Sequence, residues 1–121
     1  IAKRGDGRDK GLWEFPGGKK LTNETILECA VREIKEELNV DITALNVLLS
    51  LEHSTESHKK LLLHYVRAEA SDWTPTLSEH SEVCLVSIKD LIKFNFTAAD
   101  EHFSNWLMVN IHRYKPIHPR T

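Results

Sequence analysis

The sequence predicts an α/β domain with a mixed sheet between helical layers, and three observations predict it. Strand-length apolar runs stand at 44–52, 61–68 and 82–86, an amphipathic stretch with its own start and stop chemistry fills 26–38, and two further helix openings follow at 87 and 97. Strands interleaved with three helices bury their apolar faces most simply as layers around a sheet. The 121 residues read as one domain, 1–121, because 40% hydrophobic and 28% charged residues is ordinary for a globular protein with a single core.

The elements follow in order. Gly5 to Gly11 mixes Gly, Asp, Arg and Lys, which is loop chemistry. In Trp13-Glu14-Phe15-Pro16-Gly17-Gly18-Lys19-Lys20 the Pro-Gly-Gly turn lets backbone approach a ligand closely, and a bare carbonyl there can serve as a hard oxygen ligand. Thr25-Ile26-Leu27-Glu28 is a capping box, so a helix starts near Ile26. Leu27, Ala30, Val31, Ile34 and Leu38 form its apolar stripe, and Asn39 sits where a left-handed residue ends it. Ala44 to Glu52 and Leu61 to Ala68 read as a long hairpin over the polar stretch Ser54 to Lys60. Ser71 to Ser81 is a loop into a strand at Glu82 to Val86. Ser87-Ile88-Lys89-Asp90 then opens a short helix and Thr97-Ala98-Ala99-Asp100 a longer one toward Tyr114, both in capping-box form, with Pro116 and Pro119 at a frayed end.

The helix at 26–38 carries Glu33, Glu36 and Glu37 within about one third of its circumference, on the side away from the apolar stripe. Like charges at these spacings repel, so the stripe calls for a divalent cation, and hard carboxylate oxygens suit Mg²⁺. A net charge of −2 argues against a surface that coats nucleic acid. No apolar run approaches the length of a membrane span. Cys29 and Cys84 lack ligand spacing and read as reduced, buried thiols; none of the seven histidines is assigned a role; Trp13, Phe15 and Trp73 read as packing residues before stacking ones.

Gly18, Glu24, Arg32, Glu33, Ile34, Glu36, Glu37 and Val40 fit G-x(5)-E-x(7)-R-E-U-x-E-E-x-G-U, with U aliphatic, at every fixed position but one, where Asn39 replaces the last glycine. This pattern resembles that of the Nudix hydrolases, and the Trp-Glu-Phe-Pro-Gly-Gly-Lys run is similar to the MutT-type nucleoside triphosphate pyrophosphohydrolases. Asn at the helix end predicts a slightly less stable turn with activity kept.

The resemblance covers Ile1 to about Leu107. It implies an α/β/α sandwich and a Mg²⁺ cofactor, with Mn²⁺ as a substitute. Glu36 and Glu37 are implied as direct ligands, Glu33 as a ligand or the general base, the Gly17 carbonyl as a backbone ligand, and Glu79 as a further ligand from a late loop, with Glu82 second. Arg32 orients the carboxylates, Gly18 and Glu24 hold the box together, and Arg4 and Lys19 are candidates for phosphate contacts, with Lys20 solvated. Asp100 either accepts a hydrogen bond from a base amino group or serves as the third residue of its own capping box.

An equivalent of Ile1-Ala2-Lys3-Arg4 in such proteins ends an early strand that follows another. A first strand is therefore expected to be missing from these residues, or the sheet to close differently. The implied function is hydrolysis of a nucleoside triphosphate, cytidine-type, modified or 8-oxo-dGTP, to the monophosphate and pyrophosphate, as nucleotide-pool sanitation. The alternatives are hydrolysis of a nucleotide sugar or ADP-ribose, and a non-catalytic base-recognition module. The expected partner is a small-molecule nucleotide, with neither nucleic acid nor membrane, for a cytoplasmic monomer or homodimer.

Overall fold

The first helix forms where its chemistry dictates. α1 spans Ile26–Leu38, and the Thr25 hydroxyl accepts the Glu28 amide at 3.1 Å while the Glu28 carboxylate accepts the Thr25 amide at 2.8 Å, so both halves of the capping box are made. Asn39 closes the helix in the left-handed region at φ 55°, its amide donating to the Lys35 carbonyl. Leu38 is fully buried at the end of the apolar stripe, whereas Val31 on the same stripe stays partly exposed.

The computed structural model describes residues 1–54 and 60–114, so most of the expected hairpin tip and the two terminal prolines lie outside the described residues. The strands are β1 (Ala2–Arg4), β2 (Trp13–Glu14), β3 (Thr43–Ser54), β4 (Lys60–Glu69) and β5 (His80–Val83). Among the described residues they make two antiparallel sheets, β2-β1-β5 and the hairpin β3-β4. The parallel pairing expected of a mixed sheet is confined there to one bridge between Trp13 and Phe96. The α/β class stands. β1 lies between β2 and β5, so the short run at 2–4 is a central strand of its sheet.

β5 begins two residues earlier than the apolar pattern suggests and ends at Val83, because its pairing with β1 is decided by register, Ala2 opposite Val83 and Arg4 opposite His80, with a shift between Lys3 and Arg4. α2 runs Ala98–Val109, stops short of Tyr114, and passes into a 3-10 turn at Ile111–Arg113; another such turn at Ile88–Lys93 replaces the short helix. The capping boxes expected at both starts are not made. Ser87 donates to the Asp90 carboxylate instead, and the Thr97 side chain caps nothing. The aromatic core, Tyr65 stacked on Phe103 at 3.9 Å with Phe15 edge-on to both, joins the hairpin to α2. No helix among the described residues is long and apolar enough to cross a membrane.

Candidate active site

Three segments meet on the acidic side of α1. The loop after β2 reaches it through the Lys19 carbonyl, which accepts Arg32 Nη2 at 2.9 Å. The turn before β5 reaches its C-terminus, where the Thr76 amide donates to the Leu38 carbonyl at 2.8 Å and Ser78 donates to the Glu37 carbonyl at 3.3 Å. These bonds satisfy carbonyls that the last turn leaves unpaired, and they bring Glu79 to the carboxylates.

The three helix carboxylates differ in burial for an angular reason. At about 100° per residue, Glu37 lies roughly 40° from Glu33 toward the apolar stripe and Glu36 roughly 60° away from it. Their side chains are accordingly 15% exposed at Glu33, 11% at Glu37 and 59% at Glu36. The expectation that the whole stripe faces away from the core is thus corrected at Glu37, which is buried.

Arg32 gathers the other carboxylates. It donates through Nε and Nη2 to the two Glu24 oxygens at 2.9 and 2.7 Å, and through Nη1 to Glu33 at 2.7 Å and Glu36 at 3.2 Å. Glu28, one turn back on the same helix, is used by the capping box, and Glu24 is the guanidinium's partner from before the helix. The Arg32 hydrogen bond, and after it the Leu21 amide at 2.8 Å, hold Glu24 down to about 2, which makes Glu24 the fixed anchor of the guanidinium. A Cβ on Gly18 would push the Glu33 carboxylate from the place where Arg32 holds it, so glycine there leaves that carboxylate room. The Cys29 thiol donates to the Gly18 carbonyl at 3.8 Å and, with Cys84, is free of any disulfide.

Glu37 is left without such help. Burial first, then the charges of Glu33, Glu14, Glu79 and Glu36, push its carboxyl up to about 7, and its buried Oε2 finds no hydrogen-bond partner among the described residues. Glu79 is exposed but close enough to contribute to that shift, while Glu82 pairs with Lys3 at 3.6 Å.

The donor set fits a hard divalent cation. The groups are all carboxylates, one has an orphaned buried oxygen, and their mutual repulsion is of the kind a cation relieves. No three acidic, His or Cys side chains among the described residues already converge on one point, in keeping with Arg32 holding Glu33 and Glu36 to itself.

Other expected residues fall differently. Arg4 is held by Glu14 at 3.1 Å, whereas Lys19 extends an exposed side chain and Gly17 has open space around it. Asp100 makes no cap: its oxygens accept the Phe15 amide at 2.8 Å and the Tyr65 hydroxyl at 2.7 Å. Burial raises its pKa against the opposing pull of those two bonds. Phe15 and Trp13 pack, on Phe96 and Phe94 respectively. Sequence reasoning missed Glu14 and His80, which share a 2.8 Å hydrogen bond beside Glu37. Glu14 stood in the quoted loop run and His80 follows Glu79, but neither spacing announces their contact.

A family model described as the NUDIX domain matches residues 1–107. The chain belongs to the NUDIX family. This NUDIX domain is 33% identical over 76 residues to an 8-oxo-dGTP diphosphatase of Proteus vulgaris, covering 63% of this chain and 65% of that protein. It is 32% identical over 92 residues to a CTP pyrophosphohydrolase of Escherichia coli, covering 74% and 66%. The matches thus span just under two thirds of those relatives. The solution structure of the E. coli ORF135 protein superposes on the NUDIX domain with a TM-score of 0.78 at 25% identity, over 96% of this chain and 83% of that one.

Proposed function

We propose that this chain hydrolyses a nucleoside triphosphate to the monophosphate and pyrophosphate with the help of Mg²⁺. The observation that carries the reading is the buried Glu37 oxygen without a partner among the described residues, set among carboxylates that Arg32 orients beside the Gly17-Gly18 loop. Anhydride hydrolysis needs phosphate charge neutralised and a water held in line for attack. Bound Mg²⁺ would supply that neutralisation and make water more acidic.

The chain's own residues divide the remaining work. Glu36 and Glu37 offer oxygens to the cation, as do the Gly17 carbonyl and Glu79, the latter from the turn pinned to the end of α1. Glu33, held by Arg32 at 2.7 Å against Gly18, would either join them or take the proton from water. Lys19, exposed on the loop, is free to turn toward phosphate oxygens.

The two curated relatives act on an oxidised purine nucleotide and on CTP, and both chemistries are proposed as substrate classes. Asp100 favours the cytidine type, since a carboxylate with lone pairs to spare accepts from an exocyclic amino group. Hydrolysis of a nucleotide sugar or ADP-ribose is the second enzymatic reading. A non-catalytic module fits less well, because Glu33, Glu36 and Glu37 are all retained.

The test is a panel of normal and oxidised nucleoside triphosphates and nucleotide sugars, assayed with Mg²⁺ while pyrophosphate is separated from phosphate. Pyrophosphate release is expected, and Glu36→Gln should abolish it with little loss of stability because that side chain is largely exposed. Turnover unchanged in Glu36→Gln, or phosphate as the only inorganic product, would sink the assignment.

A further inference from the structure

Behind Glu37 lies a hydrogen-bonded chain that the active-site roles above do not use. Arg4 Nη1 donates to Glu14 Oε1 at 3.1 Å, Glu14 Oε2 lies 2.8 Å from His80 Nε2, and the same Nε2 stands 4.0 Å from Glu37 Oε1. The four residues come from β1, β2, β5 and α1. The register shift between Lys3 and Arg4 sets Arg4 opposite His80 across the β1–β5 pair, while β2 pairs on the other side of β1 and delivers Glu14.

We propose that His80, clamped by Glu14, is a positioning residue for Glu37: it faces one Glu37 oxygen and so leaves the other turned to the cation. This rests on the reading of Glu37 as a cation-binding carboxylate. The His80 side chain is 4% exposed and its Nε2 faces two carboxylates, so that nitrogen carries the hydrogen. A hydrogen bond to Glu14 and a looser approach to Glu37 fix the imidazole without tying Glu37 down.

Both oxygens of Glu14 are engaged, one by Arg4 and one by His80. Glu37 Oε2 has no such commitment. Without His80 between them, the Glu14 and Glu37 carboxylates would confront each other directly. Carboxylate-to-histidine support behind a metal-binding group is the kind of arrangement whose loss weakens metal affinity by about 10- to 100-fold.

The experiment measures Mn²⁺ affinity of the intact chain by calorimetry and by the loss of the free Mn²⁺ electron paramagnetic resonance signal, with circular dichroism as the check on folding. His80→Gln keeps an amide N–H near the position of Nε2, whereas His80→Asn stops at the position of Nδ1. Both put a similar polar group into the same buried place. The expected result is near wild-type affinity for His80→Gln and affinity about 10- to 100-fold weaker for His80→Asn.

Equal affinities in the two variants, whether both retained or both lost, would overturn the positioning role. A third variant, Glu37→Gln, tests the underlying reading separately. If it binds Mn²⁺ as the wild type does, or if the wild type shows no saturable binding, Glu37 is no ligand and the proposal falls with it.

Discussion

Glu37 shows what a single residue contributes when its environment works against its charge. In the unfolded chain it titrates at the ordinary value of 4.5, whereas burial and four neighbouring carboxylates push it up to about 7 in the fold. The folded state therefore binds the proton more tightly. Stability from this group is fullest below about pH 4.5 and falls as pH rises toward 7, where ionisation puts an unpaired charge in the interior. The difference is on the order of 3 kcal/mol. In cation-free protein, Glu37→Gln should gain on the wild type as pH rises, by several degrees in melting temperature at pH 8 and by little at pH 4.5. A gap that does not change with pH would remove the charge argument.

Neighbouring positions show how far the sequence reaches at this scale. The Arg32 contact to Glu36 was legible because the two stand four positions apart on one helix, a spacing that brings side chains together. The Glu14–His80 bond was not, since 66 positions separate the pair and only the pairing of both strands with β1 joins them. That same sheet gives Arg4 a carboxylate partner, Glu14, which no local spacing announces.

At the scale of elements, α1 was readable almost to the residue because every signal that bounds it is local. The box at Thr25 and Glu28 and the left-handed Asn39 need nothing from the rest of the chain. The same box pattern at Ser87 and Thr97 misled because a third residue that could cap found better partners. Asp90 accepts from Ser87 and pairs with Lys93 at 3.2 Å, and Asp100 is drawn away to Phe15 and Tyr65. The short strand β5 was displaced because four residues carry too little alternation to set a boundary that pairing decides. The end of α1 can be tested directly. Asn39 holds φ 55° at a cost glycine does not bear, so Asn39→Gly should stabilise the chain by up to about 1 kcal/mol, seen in urea unfolding, with turnover unchanged. A loss of stability would mean that the Asn39 side chain contributes more than its backbone strain removes.

At the scale of the whole molecule, Asp100 is the joint. From the first turn of α2 it receives the Phe15 amide, just before the Gly17-Gly18 loop, and the Tyr65 hydroxyl from the hairpin, so one carboxylate links three parts of the fold. Tethering and base reading make different demands on it. Tethering needs two acceptors, one of which an amide can replace: in Asp100→Asn the oxygen takes the Phe15 amide and the amino group donates to the Tyr65 oxygen, whose hydroxyl is free to rotate. Base reading needs the carboxylate itself. Asp100→Asn should therefore fold with a loss of no more than about 1 kcal/mol while its substrate preference moves from cytosine toward guanine nucleotides. Asp100→Ala, which strands the Phe15 amide and leaves the Tyr65 hydroxyl only the Ala99 carbonyl at 3.3 Å, should cost about 2 kcal/mol. Tyr65→Phe removes one donor and leaves the carboxylate, so it should lose about 1 kcal/mol with the substrate ranking intact. Thermal melts and the nucleotide panel on these three variants separate the roles: an unaltered ranking in Asp100→Asn, beside a marked loss of stability in Asp100→Ala, would reduce Asp100 to the tether that holds the glycine loop against the core.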